Sequence, residues 1–142
     1  MPRIHFFYED VKFTVPNKTK LRNWIELIIK NETGKKIKNI NFIFCSDEFL
    51  LEFNKIYFHD HTLTDVITFD YSDDERNLES DIYISIHRIK ENSQDLKIPF
   101  INELHRVMIH GVLHLLGYRD KSEDELQIMR EKENECLTLY LS

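Results

Sequence analysis

The chain has 142 residues, 42% hydrophobic and 31% charged, with three Gly and three Pro, a composition that suits an ordered globular protein and excludes a disordered or fibrous one. Its two cysteines, Cys45 and Cys136, are widely separated with no CxxC spacing, which excludes a disulfide framework or a thiolate zinc site and points to a reducing compartment. The formal net charge of −6 argues against a general nucleic-acid binder, but it averages a basic first part (nine Lys/Arg against six Asp/Glu over residues 1–50) and an acidic remainder (ten against nineteen).

In chain order, "IHFFYEDVKF" is aromatic and β-branched and reads as one or two short strands. A helix over 18–31 follows, with Asn17 as its cap, Leu21, Trp24, Ile25 and Ile28 at helical spacing, and Gly34 as the left-handed residue that ends it. "INFIFC" (40–45) suits a buried strand. Ser46 caps the next helix, where Asp47 and Glu48 face the positive helix end and Phe49, Leu50, Phe53, Ile56 and Tyr57 form an apolar stripe. "VITFDY" (66–71) and "DIYISI" (81–86) are two further strands, joined by the acidic connection 72–80.

The second half is mostly helical. A short helix is expected over 87–96, and Pro99 is well placed to open another, where its missing N–H matters least. That helix carries Phe100, Leu104, Val107, Met108, Leu115 and Leu116, apolar on more than one side, so it should be central. Ser122 with Glu125 forms a capping box for a last helix with Leu126, Met129 and Leu137 as its stripe. The expected architecture is α+β, with about four strands in one mixed sheet, about five helices, and one domain over 1–142. No basic leader precedes an apolar run, and about 18 uncharged apolar residues never occur together, so a cytoplasmic protein with no membrane partner is expected.

Two features go beyond fold. The first is basic charge between positions 18 and 38, where Lys18, Lys20, Arg22, Lys30, Lys35, Lys36 and Lys38 oppose only Glu26 and Glu32. Such a run forms either a basic patch or simply a solvated face. The second is "HGVLHLLGYRDK" (110–121). Residues i and i+4 of a helix differ by about 40° in direction and about 6 Å along the axis, so His110 and His114 can converge on one ion. Gly117 lets the chain turn back, and Asp120 lies just beyond it. Two His and one Asp leave a fourth position open for water, the arrangement of a catalytic zinc.

An isolated HxxxH also arises as two separately satisfied histidines; the glycine turn and the aspartate are what point to a metal. Zinc peptidases of the HExxH type place a glutamate after the first histidine, whereas this chain has Gly111, which cannot move a proton. What remains is metal-assisted hydrolysis, in which the ion lowers the pKa of water and polarises the attacked group. Glu103, seven residues before His110, is either a partner behind a ligand, a base, or a packing residue.

These residues together resemble the YbeY family of bacterial endoribonucleases that mature ribosomal RNA. "HGVLHLLGYRD" follows the family's HGxLHLxGYDH, "NELHRVMI" precedes it in register, "TDVITF" (64–69) is similar to TDVLSF, and "DIYIS" (81–85) resembles GDIxIS. The likeness extends over nearly the whole chain. It implies one Zn2+ per chain, bound by His110, His114 and a third ligand at position 120. The family usually has histidine there; if Arg119 is read as an insertion, Lys121 falls on the ligand position, and lysine is a poor zinc ligand. Asp120 is the competent ligand under either register. The family's NxxYR segment places an arginine where this chain has Phe58, so Lys55, Arg88 or Arg119 is left as a substitute cation, and His59 and His61 lie in the same loop.

The resemblance thus implies a metal-dependent endoribonuclease in rRNA maturation and ribosome biogenesis, with activated water hydrolysing single-stranded RNA. Its partners would be rRNA or ribosome-associated RNA and the small ribosomal subunit or its assembly factors. No general base is assigned. The alternatives are a non-catalytic assembly factor with a structural metal, marked by a closed four-ligand site, and a zinc hydrolase of another substrate, marked by an enclosed apolar pocket.

Overall fold

Alternation along the central strands sets the architecture. In a computed structural model that describes residues 3–141, the sheet comprises β1 (Ile4–Tyr8), β2 (Lys36–Cys45), β3 (Val66–Asp70) and β4 (Asn77–Ser85) in the order β1-β2-β4-β3. β1, β2 and β4 run parallel, and β3 runs antiparallel along β4, so the sheet is mixed. In β4 the inward residues Leu78, Ser80, Ile82 and Ile84 are buried, while Glu79, Asp81 and Tyr83 on the other face are half-buried. A period of two puts each set on its own face of the sheet.

The helices are α1 (Lys18–Glu32), α2 (Asp47–Phe58), α3 (Ile86–Leu96), α4 (Phe100–Leu115) and α5 (Glu123–Leu141). α4 buries residues on nearly every side, among them Leu104, Met108, Ile109, Val112 and Leu113, as its all-round hydrophobicity predicts. It lies close against the sheet. A Cβ on Gly111 would fall 2.8 Å from Ile82 Cγ2 and 3.2 Å from Val66 Cγ2, so a side chain does not fit there. Thr68 Oγ1 also donates to the Gly111 carbonyl at 3.1 Å. Gly111 is therefore demanded by packing as well as being unable to serve as a base.

α1 and α5 cover the flank of α4. Trp24 Nε1 donates to the Cys136 carbonyl at 2.7 Å, and Tyr140 stacks edge-on against Trp24 at 5.0 Å. On the far face of the sheet, Phe53 of α2 meets Tyr83 at 4.5 Å and Phe69 at 5.2 Å. Both cysteines are free and buried, and burial pushes the Cys45 thiol up to about 12 and that of Cys136 to about 11. No helix among the described residues is long and apolar enough to cross a membrane.

The α+β class agrees with the sequence reading, and several local expectations are corrected. Asn17 precedes α1 in the left-handed conformation with its side chain uninvolved in capping; its carbonyl accepts from the Leu21 N–H instead. α1 ends at Thr33 in extended backbone, so Gly34 does not supply a left-handed turn. β2 begins four residues earlier than expected and β4 takes up residues 77–80 of the acidic connection, because parallel pairing of Lys36 with Asn77 and Ile37 with Leu78 outweighs weak local strand preference. On α2, Leu50 is buried while Ile56 and Tyr57 are exposed. Both capping motifs form as expected: Ser46 Oγ accepts from Phe49 N, and Ser122 and Glu125 cap each other.

His105 lies in the core between Trp24 and Tyr140, 6% exposed, and its Nε2 lacks a hydrogen-bond partner. Burial, helped by the charge of Lys20, pushes it down from 6.5 to about 4. The folded chain thus holds His105 neutral while the unfolded chain protonates it, so stability is lost as pH falls through 6.5 and the loss is complete near 4, on the order of 3 kcal/mol. Denaturant titrations at pH 7 and pH 4 should show this loss in the wild type, and His105→Leu should remove most of it while keeping the loss that carboxylates cause at lower pH.

Candidate metal centre

The i, i+4 spacing on α4 brings the His110 and His114 rings together at 4.6 Å between centroids. The helix then ends in a left-handed turn at Gly117, φ 102°, where Gly117 N–H donates to the His114 carbonyl and Tyr118 N–H to the Leu113 carbonyl, both at 3.0 Å. This double closure is the Schellman motif, and the glycine serves it because an L side chain is strained at that φ. Tyr118 pins the turn: its hydroxyl donates to Glu32 Oε2 at 2.8 Å, and Glu32 is ion-paired with Lys132 of α5. Two residues later the chain carries Asp120 back under the histidines.

The three donor atoms converge. His110 Nε2 and His114 Nε2 are 3.0 Å apart, His114 Nε2 and Asp120 Oδ2 3.1 Å, and His110 Nε2 and Asp120 Oδ2 3.3 Å. Metal bonds of 2.0–2.1 Å in a tetrahedron would put ligands about 3.3–3.4 Å apart, close to this triangle. The donor chemistry agrees. His110 Nδ1 lies 2.6 Å from Glu133 Oε2, and a proton held on Nδ1 by that carboxylate leaves Nε2 as a bare lone pair. A lone pair facing a second imidazole and a carboxylate is what a cation satisfies, so the residues fit a metal ion. Among the described residues, this trio is the one group of three or more His, Cys, Asp and Glu side chains close enough to share an ion.

Behind the ligands lies a buried ionic cluster. Glu133, 1% exposed, also accepts from Arg106 Nη1 at 3.2 Å and Arg130 Nη1 at 2.9 Å, and Arg106 Nε donates to the fully buried Glu103 at 2.7 Å. Burial opposes ionisation of Glu133, but the His110 hydrogen bond and the charges of Arg106 and Arg130 prevail and hold its carboxyl below the usual range. Two buried carboxylates are tolerated because Arg106 bridges them.

The trio opens on a cavity of about 680 Å³ between α4, β3 and the loop after α2. Asp60, Asp65, Asp70 and Asp120 line it, and Lys121 is the one Lys or Arg among its described lining. Burial pushes the Asp65 carboxyl up, against the pull of the Arg106 charge. Phe58 also lines the cavity and stacks on Phe69 at 5.5 Å.

Of the residues singled out in the sequence, His110, His114 and Asp120 come together. Glu103 does not reach them; it is two links away, through Arg106 and Glu133. The substitute cations are elsewhere: Lys55 pairs with Glu52, Arg88 with Asp47 and Glu91, and Arg119, like His59 and His61, is exposed outside the cavity lining. Sequence reasoning missed Glu133, and weighed Lys121 only as a ligand, not as a cation of the cavity. The signal for Glu133 was present: it interrupts the buried stripe Met129, Cys136 and Tyr140 of α5, whereas the expected stripe residue Leu126 is exposed.

Comparison with known proteins adds an independent line. The family model described as Endoribonuclease YbeY matches residues 5–140. A protein of Amoebophilus asiaticus named "Endoribonuclease YbeY" is 48% identical over 136 residues, covering 94% of this chain and 92% of that one. One of the same name from Flavobacterium psychrophilum is 50% identical over 137 residues, covering 96% of each. The solution structure of TM1509 from Thermotoga maritima superposes with a TM-score of 0.66 at 26% identity, covering 96% of this chain and 88% of that one.

Glu133 should act on the metal through His110. Glu133→Gln keeps the shape but weakens the acceptor, and competition against a chelator should show metal affinity lower by about 10–100-fold with the fold retained. Unchanged affinity would mean that the Glu133 contact does not tune the ligand.

Proposed function

The chain belongs to the Endoribonuclease YbeY family, and from that membership we propose that it is a metal-dependent endoribonuclease of rRNA maturation and ribosome biogenesis, its single domain holding one zinc ion through His110, His114 and Asp120. The observation that carries this reading is the triangle of donor atoms 3.0–3.3 Å apart on the wall of an open cavity. Three protein ligands beside such a cavity support a catalytic site over a structural one, which would close with a fourth. The open cavity, with five charged side chains in its described lining, does not suit the apolar substrate of an enclosed pocket, and a bound metal would supply the positive charge that a phosphate ester needs. The proposed setting is the cytoplasm, and the proposed substrate is single-stranded rRNA or ribosome-associated RNA at the small subunit.

When bound, the metal lowers the pKa of water and polarises a phosphoryl oxygen. The protein's own groups do the rest. Glu133 holds the His110 ring in one tautomer and aims Nε2 at the site. The Schellman turn and the Tyr118 anchor position Asp120, whose negative charge, in place of a neutral imidazole, makes the ion a weaker Lewis acid. Lys121 is the cavity's cation for a phosphate oxygen, where Phe58 offers none. Asp65 is the cavity carboxyl that burial inclines to keep a proton, which suits it to proton transfer.

Metal analysis and RNA cleavage on the same preparations test the proposal. Wild type should carry about one zinc per chain and cut single-stranded RNA; His114→Ala and Asp120→Ala should lose most of both. A His114→Ala protein that retains full metal content and full cleavage would refute the assignment.

A further inference from the structure

The catalytic reading leaves the basic run of the sequence unused, and the fold divides that run. Lys18 and Lys20 lie over the rings of Tyr8 and Tyr140, Arg22 donates to the Ile4 carbonyl, and Lys38 pairs with Glu79. Lys30, Lys35 and Lys36 instead meet Arg3 and Arg76, which arrive from distant parts of the sequence. The five surround two adjoining concavities, of about 620 and 340 Å³, that share Lys35 and Lys36. All five are exposed; Arg3 donates one Nη1 N–H to the Ile37 carbonyl at 3.0 Å, at the surface, whereas the Arg22 contact is part-buried. Glu26 and Glu75 also line these concavities, yet among the described residues none of the five cations is within ion-pair distance of a carboxylate.

The patch lies at the far end of the sheet from the metal cavity. Lys36 pairs with Asn77 at the start of β4, whereas the Ser85 N–H, at its end, donates to the carbonyl of Asp65 of the cavity wall. Thr68, which donates to the Gly111 carbonyl beside the donor trio, pairs with Ile82, five residues along β4 from Asn77. Asp70, at the near edge of the cavity, pairs with Ser80, three residues along. At about 3.3 Å per residue the patch lies about 16 Å along the strand from the level of the trio and about 10 Å from the cavity's near edge. Four aspartates against one lysine in the cavity, on a chain of net charge −6, cannot by themselves attract a polyanion. A phosphate backbone needs a concentration of unpaired cations, and this end of the sheet supplies it.

We propose that Arg3, Lys30, Lys35, Lys36 and Arg76 form an anchoring site for the phosphate backbone of the RNA substrate, holding one segment of the strand while another enters the metal cavity. The proposal rests on the RNA-cleaving reading above. At physiological salt the Debye length is about 8 Å, so the patch acts on RNA that reaches it and is screened from RNA confined to the cavity.

The test compares wild type with Lys35→Ala/Lys36→Ala/Arg76→Ala, exposed substitutions whose fold is checked by Tm and metal content. The substrates are a long structured RNA and a single-stranded tetranucleotide. Each lost phosphate contact to a single strand flattens the slope of log K against log salt by about 0.7, so the triple variant should lose about 2 from the long-RNA slope. The ratio of kcat/KM on long RNA to that on the tetranucleotide should fall at least tenfold, through KM. An unchanged salt slope and ratio would overturn the anchor and leave the patch to a protein partner. An equal loss on both RNAs would also overturn it, since it would place the effect in the cavity. Wild type that cuts neither RNA would sink the cleavage reading alone, because salt-dependent binding of long RNA, present in wild type and reduced in the triple variant, still reports the patch.

Discussion

The 2.6 Å contact between His110 Nδ1 and the buried Glu133 carboxylate is the constraint around which the metal-binding end of the molecule is organised. A carboxylate that is 1% exposed is costly unless it is paired from every side. Arg106, Arg130 and His110 provide that pairing, and Arg106 in turn neutralises Glu103. The same contacts fasten α5 to α4, fix one tautomer of His110 and leave its other nitrogen facing outward. Structural necessity and chemical function meet in one buried cluster.

The sheet and the turn complete what the cluster begins. α4 can bring His110 and His114 to the cavity because Gly111 lets its backbone press on Ile82 and Val66. Asp120 arrives through a glycine turn pinned by Tyr118 to Glu32 and, through Lys132, to α5. The triangle of donors is thus held from three directions: by the sheet beneath, by α5 behind and by the turn beyond. Such support from packed elements gives a ligand set its geometry before any ion arrives. The electrostatic pattern is equally divided, with carboxylates around the cavity and unpaired cations at the opposite end of the sheet.

What the sequence disclosed and what it hid follow from the range of the interactions. His110, His114, Gly117 and Asp120 were legible because helix periodicity and one turn relate them within eleven residues. Ser46 and the Ser122–Glu125 box were legible for the same reason. Glu133 was hidden because its partner lies 23 positions away, and the Leu126 stripe drew attention to the wrong face of α5. The early start of β2 depends on pairing with β4, which local propensity does not encode. Asn17 misled because a good capping residue was taken up by a left-handed turn. Lys121, set aside as a poor ligand, lines the cavity as its one described cation, while the more suggestive Arg119 points outside it.

X-ray absorption at the zinc edge on the purified holoprotein tests the metal centre most directly. Two imidazole nitrogens and one carboxylate oxygen at about 2.0–2.1 Å, a further light-atom ligand from solvent and no sulfur are the predicted shell, with one imidazole lost in His110→Ala. A shell containing thiolate sulfur, or one unchanged in His110→Ala, would contradict a site built on His110, His114 and Asp120.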